Sequence, residues 1–539
     1  MTRKNKMIKR KLSNENLSLK ESIYKRITNP FYLIAVAITA LGTYGFYLAN
    51  PSPSIDWLSY DRYYGGILFS QGRFTATIVE KALNLWDCPV WFEPLLGIIC
   101  FILGTLIMLA IFDGFCEQKS IVPSIIFTCI YISFPLLPEY FIYNGAILTV
   151  GGCTVLLSLA LYFSIKYSDM LHSFFLPIIL MMFVFSWYEC MILPYVGVVF
   201  AVFILKDRKE KGIKTGEVIV KGLYHAVVLG LAVLAEAVIT KVIIKIFSIK
   251  LNDYAKTESF WTASIKAVKD LIRSYISYWG LKFFCNPAFT ILLAAGIVAF
   301  VLFIINIKRT KKFSSVILFL GSLIPVFAMT LYRGGGAEYR TEQGMPFFVA
   351  FTAFLLCLNI QSGKVLVKRA FAAIFVFALI IQIGASNKCY WINNQRYEEE
   401  KNVILTINSR LTENCDMSKP VIFIGEYTVS ESLQDKITVT DSSFVGKIVH
   451  RFGSPKNYAT AKKIYDYIGS SYLTWGIECS FNGSRPEEEL YKFCDYIGVS
   501  FKHCTGEQYN EANKKYSKIK AYPDKDCIVE TDEYIVVKL

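Results

Sequence analysis

Charge is scarce in this chain. Of its 539 residues only 19% are Asp, Glu, Lys or Arg, against 54% hydrophobic, and the mean hydropathy is +0.41. A soluble protein of this length carries more charge to cover its surface. The length also exceeds one small domain, so a membrane part with a soluble appendage is the natural expectation. Histidine is scarcer still, at four, and no Cys-x-x-Cys pair occurs, which removes the usual zinc ligand sets. No metal site and no cofactor are expected, and metal dependence stays open. No phosphate loop is present either: Gly334-Gly335-Gly336 is followed by no helix opening on Lys-Ser/Thr, and it reads as a flexible turn.

Basic residues are in excess, with a formal net charge of +14. They do not form a nucleic-acid-binding stripe. They fall in short clusters between apolar runs: Arg3-Lys4, Lys9-Arg10-Lys11, Lys206 to Lys214, Lys308 to Lys312 and Lys364 to Arg369. That is the pattern of cytoplasmic loops in membrane proteins, and nucleic acid is set aside as a partner. Of 14 Cys, Cys100, Cys129, Cys153 and Cys357 lie inside apolar runs and read as small hydrophobes. Six more (Cys389, Cys415, Cys479, Cys494, Cys504, Cys527) allow disulfides near the C-terminus without fixing their connectivity.

A membrane span needs about 20 mostly apolar residues. Eleven segments qualify: 31–50, 91–112, 121–138, 146–166, 174–187, 190–205, 223–248, 287–307, 313–331, 346–361 and 366–386. Phe31–Tyr47 reads as an uncleaved first span, since a signal peptide has a shorter apolar core and a small-residue cleavage site. The pair 174–187 and 190–205, divided at Glu189, can also be drawn as one helix, which inverts everything downstream. Loop charge favours two. With eleven spans and an inside N-terminus, segments 1–30, 113–120, 167–173, 206–222, 308–312 and 362–369 face the cytoplasm and hold nearly all the basic clusters. Loop 249–286, with six Lys or Arg, then lies outside, where its length weakens the rule.

The fold expected is a polytopic α-helical membrane protein with a small α/β extracytoplasmic domain. A basic cytoplasmic segment spans 1–30, the membrane domain 31–386 with an external loop at 51–90, and the soluble domain 387–539. In that last part Asn393-Asn394-Gln395 and Glu398-Glu399-Glu400 look like a solvated helix start. Pro420 to Gly425 has a buried-strand pattern, Tyr458 to Ile468 an amphipathic helical one, and Cys527–Leu539 the alternation of a hairpin.

The first external loop holds the densest chemistry: Asp56-Trp57, then Tyr60-Asp61-Arg62-Tyr63-Tyr64-Gly65-Gly66, then Gly72-Arg73-Phe74. A carboxylate at the water–membrane boundary can deprotonate an acceptor hydroxyl as it attacks an activated sugar. Arg62 and Arg73 can hold a phosphate through paired N–H donors. The same residue types also serve as interfacial anchors and solvated loop residues.

An Asp-Trp in an early external loop, a Tyr- and Gly-rich stretch, Gly-Arg-Phe and a polar helix before the second span together resemble the type II O-antigen glucosyltransferases, membrane enzymes of the C-type glycosyltransferase architecture. That family's first large loop carries an Asp-Asp pair, an Arg and a later Gly-Arg. Asp56 and Gly72-Arg73 occupy the matching places. Trp57 replaces the second Asp and Tyr60 the nearby Arg, with Asp61-Arg62 a shifted substitute, so the base is Asp56 or Asp61. The resemblance covers the span layout of 31–386 and, more loosely, Ala521-Tyr522-Pro523 and the terminal Val-Val-Lys-Leu. It implies inverting transfer of a sugar, usually glucose, from a polyprenyl-phosphate donor to a cell-surface glycan on the outer face of a bacterial cytoplasmic membrane.

Further polar residues recur on that side. They are Glu139 after the third span, Tyr188 and Glu189 between the fifth and sixth, and Arg333, Glu338 and Arg340 after the ninth. Charges at such positions are costly to hold and point to function. Arg340, Arg73, Arg333 and Arg62 are candidates for the donor phosphate. Glu189, Tyr188, Glu139, Glu338 and Trp57 are candidates for the sugar and acceptor. The competing arrangement pairs Arg340 with Glu338 and Glu342 as a surface cluster. Glu236 lies mid-span, with packing and cavity-lining roles both open. The alternative function is a transporter or flippase of a lipid-linked saccharide. That reading calls for two similar halves and broken helices at matching positions, which this sequence lacks. A glycan-binding scaffold or receptor is the third class.

Overall fold

The computed structural model describes residues 18–54, 58, 71–85, 88–116, 120–142, 146–166, 174–210, 212–249, 286–310, 313–332, 339–361, 363–427, 429–430, 433, 471–473 and 488–539. Helix α1 (Leu19–Ile27) opens at Ser18, whose side chain accepts from the Glu21 N–H, and α2 (Pro30–Ala49) opens at Asn29 with Pro30 in its first turn. Both are N-terminal caps of the expected chemistry. The basic start of the chain therefore carries an amphipathic helix that the sequence reading left out. It docks through Arg26, which is fully buried and grips Asp113 at 2.8 and 3.0 Å.

The remaining helices follow as α3 (Phe74–Leu83), α4 (Phe92–Asp113), α5 (Val122–Ile132), α6 (Pro138–Ile142), α7 (Ala146–Lys166), α8 (Phe175–Phe185), α9 (Ile192–Lys209), α10 (Thr215–Phe247), α11 (Asn286–Thr310), α12 (Ser314–Tyr332), α13 (Gly344–Ile360) and α14 (Val365–Asn414). An apolar helix falls in every segment marked above. Among the described residues seven are long and apolar enough to cross a membrane by length and composition, and the apolar stretches of four others run to 10–17 residues. The stretch 174–205 is two helices, broken at Ser186–Tyr188 and a short 3-10 turn at Glu189–Met191. Segment 121–138 is a correction: its helix stops at Ile132. Pro135 disfavours helical backbone just before itself, and Pro138 opens the separate five-residue α6.

Helices α4 and α7 pack backbone to backbone through small residues. A Cβ on Gly151 would stand 2.2 Å from the Gly97 carbonyl oxygen, and one on Gly104 would stand 2.7 Å from the Thr154 backbone. Close approach through glycine is the usual device where no hydrophobic effect drives helices together. By contrast α2, α10 and α14 turn large side chains outward, Phe31, Ile38, Val220, Leu223, Ile374 and Phe377 among them. So much exposed apolar surface belongs against lipid.

Helix α14 runs unbroken from Val365 to Asn414. Fifty residues at 1.5 Å each far exceed the thickness of a bilayer. The change of composition at Asn387 is a change of surroundings along one helix. The Asn393–Glu400 runs are not a helix start, and Glu400 is fully buried. The far half of α14 packs Val403, Ile404, Ile407 and Leu411 on a small sheet. Its strands β1 (Val421–Ile424) and β3 (Ile535–Lys538) run parallel, while β2 (Ile528–Glu530) joins β3 antiparallel as the terminal hairpin. Helices α15 (Glu488–Tyr496) and α16 (Gly506–Tyr516) complete this part. The helix expected at Tyr458–Ile468 lies outside the described residues. Every described cysteine is a free thiol.

Candidate functional site

Four segments distant in sequence meet at one end of the helices. The first is the turn before α3. Gly72 has φ +78, a conformation costly for any other residue, and a Cβ there would stand 3.2 Å from Glu236 Oε1 on α10. A larger residue there would be strained by the positive φ and would crowd that carboxylate. The next residue, Arg73, is half-buried with its guanidinium 5.5 Å from the centre of the Tyr188 ring. No carboxylate pairs with Arg73 among the described residues. A hydrogen bond between the Thr75 and Ser186 hydroxyls pins the start of α3 to the loop that carries Tyr188.

Tyr188 meets Tyr140 edge to face at 5.9 Å. Tyr140 and its neighbour Glu139 sit on α6, the short helix that Pro138 begins. Glu139 is 3% exposed and reaches across to the 3-10 turn Tyr339–Thr341. Its Oε2 accepts the Arg340 backbone N–H at 2.7 Å, and its Oε1 pairs with the Arg340 guanidinium at 3.3 Å. The Tyr140 hydroxyl donates to the Arg340 carbonyl, and Gln343 Nε2 donates to both that carbonyl and the Tyr140 oxygen at 2.9 Å. A carboxylate set against Arg340 thus comes from α6, far in sequence from Arg340 itself.

Arg73, Glu139, Tyr188 and Arg340, named from the sequence, therefore converge. Arg73, Arg340 and Glu139 all lie within electrostatic reach of Tyr188. Glu189 follows Tyr188, is exposed, and acts electrostatically on Glu236. Asp56, Trp57, Asp61, Arg62, Arg333 and Glu338 lie outside the described residues. Tyr140 and Gln343 were missed. Neither carries charge, and their role depends on a contact spanning about two hundred residues. Glu236, left open above, faces the Gly72 turn and accepts from Thr240 at 2.6 Å.

The arrangement offers one guanidinium that pairs with no carboxylate among the described residues, a second held at its root by hydrogen bonds, and two aromatic rings beside them. Guanidinium groups in such a setting bind phosphate through paired N–H donors, and aromatic faces suit a sugar ring. No group of three or more His, Cys, Asp or Glu able to hold a metal occurs among the described residues. A cavity of about 90 Å³ lies away from these residues, at the opposite end of α9 beside Asp207. There Asp207 accepts from Ile213, Asn306 and Ser315 at 2.7–2.8 Å and ties three helices together.

Neither a curated protein nor a solved structure matches the chain. The family model described as glucosyl transferase GtrII matches residues 45–383, a stretch that includes the Gly72-Arg73 turn, α6, the Tyr188 loop and Arg340, and the protein belongs to that glucosyltransferase family.

Proposed function

We propose that this protein transfers glucose from a polyprenyl-phosphate-linked donor to a cell-surface glycan at the outer face of a bacterial cytoplasmic membrane. In this reading the eleven apolar helices are eleven spans, the basic N-terminus is inside, and residues beyond α14's apolar half lie outside. The carrying observation is Arg73, half-buried against Tyr188 with no carboxylate paired to it among the described residues. A cation held in that state suits a phosphate. Arg340, already half-neutralised by Glu139, is the second contact.

Asp56 is the assigned base, with Asp61 the other candidate. It takes the proton of an acceptor hydroxyl as that oxygen attacks the anomeric carbon. The carbon–oxygen bond to the lipid phosphate breaks, and the leaving phosphate keeps the electron pair. Arg73 and Arg340 stabilise the charge that develops there. One direct displacement inverts the anomeric centre. The grouping of Arg73, Tyr188 and Arg340 at one end of the helices also favours transfer over transport, which calls for a site near the midplane.

Mass analysis of surface polysaccharide tests the reading. Cells lacking the protein should lose a hexose from the repeating unit, wild type should restore it, and Asp56→Asn should not. Unchanged polysaccharide in the deletion strain would overturn it.

A further inference from the structure

The match to the glucosyltransferase family ends at Ile383, so it assigns nothing to the far half of α14 or the sheet beyond it. Those elements nevertheless touch the first external loop. Asn393 Nδ2 donates to Ser52 Oγ at 2.8 Å, and the Tyr472 hydroxyl donates to the Pro53 carbonyl. Leu58, whose N–H bonds back to Ser54 at 3.0 Å, packs into the same core as Val403, Ile407, Tyr472 and Phe493.

The holding groups are themselves held. Arg396 donates to Asn393 Oδ1 at 2.9 Å and lies 5.5 Å from the Tyr472 ring centre. Glu400, one turn on, accepts the Tyr472 N–H at 2.6 Å and the Leu473 N–H at 3.4 Å. Tyr472 also stacks on Phe493 of α15 at 4.5 Å. All of Asn393, Arg396, Glu400 and Tyr472 are buried. Burying two charged and several polar groups is costly unless each bond is needed, and here they converge on two residues of one loop.

We propose that Asn393 and Tyr472 are positioning residues for glucosyl transfer: the C-terminal part grips Ser52, Pro53 and Leu58, the described residues that flank Asp56 in sequence. The inference rests on the assignment of Asp56 as base. The soluble part is then a component of the active enzyme, and its grip falls on both sides of residue 56 in sequence. Displacing a base by about an ångström lowers turnover on the order of 100-fold, while donor binding at Arg73 and Arg340 is left alone.

The test uses full-length protein in lipid nanodiscs. Tyr472→Phe removes one hydroxyl and keeps the ring stack, and Asn393→Ala removes the second contact. The pair should lower kcat tenfold or more with the donor KM within twofold of wild type. Hydrogen–deuterium exchange of a peptide covering 51–58 should quicken, while exchange in α4 and α7 should not. Glu400→Gln, which still accepts from the Tyr472 N–H, should retain far more turnover than Glu400→Ala. Wild-type kcat together with wild-type exchange at 51–58 in the double variant would overturn the proposal. Wild-type transfer by Asp56→Asn would instead overturn the base assignment, and the exchange result would still report whether the grip exists.

Discussion

Glu139 holds Arg340 twice, by the backbone N–H at 2.7 Å and by the guanidinium at 3.3 Å. The two contacts separate shape from charge. With Tyr140 and Gln343 on the Arg340 carbonyl, the backbone of the turn is fixed without the guanidinium. Arg340→Ala should therefore leave thermal stability within about 1 kcal/mol of wild type, the scale of one partly exposed pair, while weakening donor use. Arg340→Lys keeps the charge without the planar fork and should fall between the two. Glu139→Ala strips a buried acceptor from both groups and should cost about 3 kcal/mol of stability. Thermal unfolding in detergent and donor titrations on the three variants check this. An Arg340→Ala protein with unchanged donor affinity would place the arginine in the turn's structure alone.

Arg73 carries the opposite balance, since its charge pairs with no carboxylate among the described residues. Losing a charge-assisted hydrogen bond costs about 1.5–3 kcal/mol, so Arg73→Ala should weaken donor binding roughly tenfold to 100-fold. Stability should hardly move. Tyr188→Phe keeps the ring under the guanidinium and should behave as wild type toward donor, whereas Tyr188→Ala should resemble Arg73→Ala. Binding of a polyprenyl-phosphate sugar measured in nanodiscs distinguishes these outcomes.

Burial pushes the Glu80 carboxyl on α3 up to about 8, with the nearby Glu93 adding to the shift. A carboxyl raised on folding favours the folded state most at low pH, below its unfolded value. That contribution declines as pH rises from about 4.5 and is fully lost above about 8. Thermal stability of wild type should therefore fall across pH 5–8 in part through Glu80, and Glu80→Gln should flatten that part of the profile. The variant should gain on wild type most clearly above pH 8. A pH profile identical to wild type would mean that Glu80 does not change its proton on folding.

Much of this was legible in the sequence for a simple reason. Lipid demands long apolar helices, so length and hydropathy alone located the apolar helices, and Gly72-Arg73 stood out in the first loop although the turn it makes was not read from it. The helix stop at Ile132 was written in Pro135 and Pro138 but was overruled by a hydropathy window that ignores backbone geometry. The unbroken course of α14 was hidden because its composition changes at Asn387 while its helical propensity does not. The Glu139–Arg340 pairing was beyond reach, since nothing in the sequence around Arg340 reveals that a carboxylate arrives from α6, about two hundred residues away.

The proposed orientation makes a direct claim about the chain's end. With the basic clusters inside and eleven spans, Leu539 lies outside the cytoplasm. A fluorescent reporter that matures only in the cytoplasm should be dark when fused after Leu539, and alkaline phosphatase fused there should be active. The reverse pattern would remove one span or add one, and α8 or α9 would be the helix to reassign.

The contact between α4 and α7 sets a last expectation. A Cβ on Gly151 meets the Gly97 carbonyl oxygen at 2.2 Å, and one on Gly97 meets the Ile147 backbone at 2.6 Å. Neither obstacle is a side chain that can swing away, so the two helices must part. Overpacking costs about 1–3 kcal/mol where side chains adjust, and a backbone obstacle belongs at the upper end. Gly151→Ala should accordingly lower thermal stability by about 3 kcal/mol, and Gly151→Val by more. Gly230 on α10 has nothing within 4 Å of its would-be Cβ. Since Ala is the better helix former by about 1 kcal/mol, Gly230→Ala should be neutral or stabilising. Parting α4 from α7 also moves α6, which follows α5 and leads into α7, so Gly151→Ala should weaken donor binding while Gly230→Ala should not. Equal unfolding temperatures for the two variants would show that α4 and α7 do not touch through their backbones.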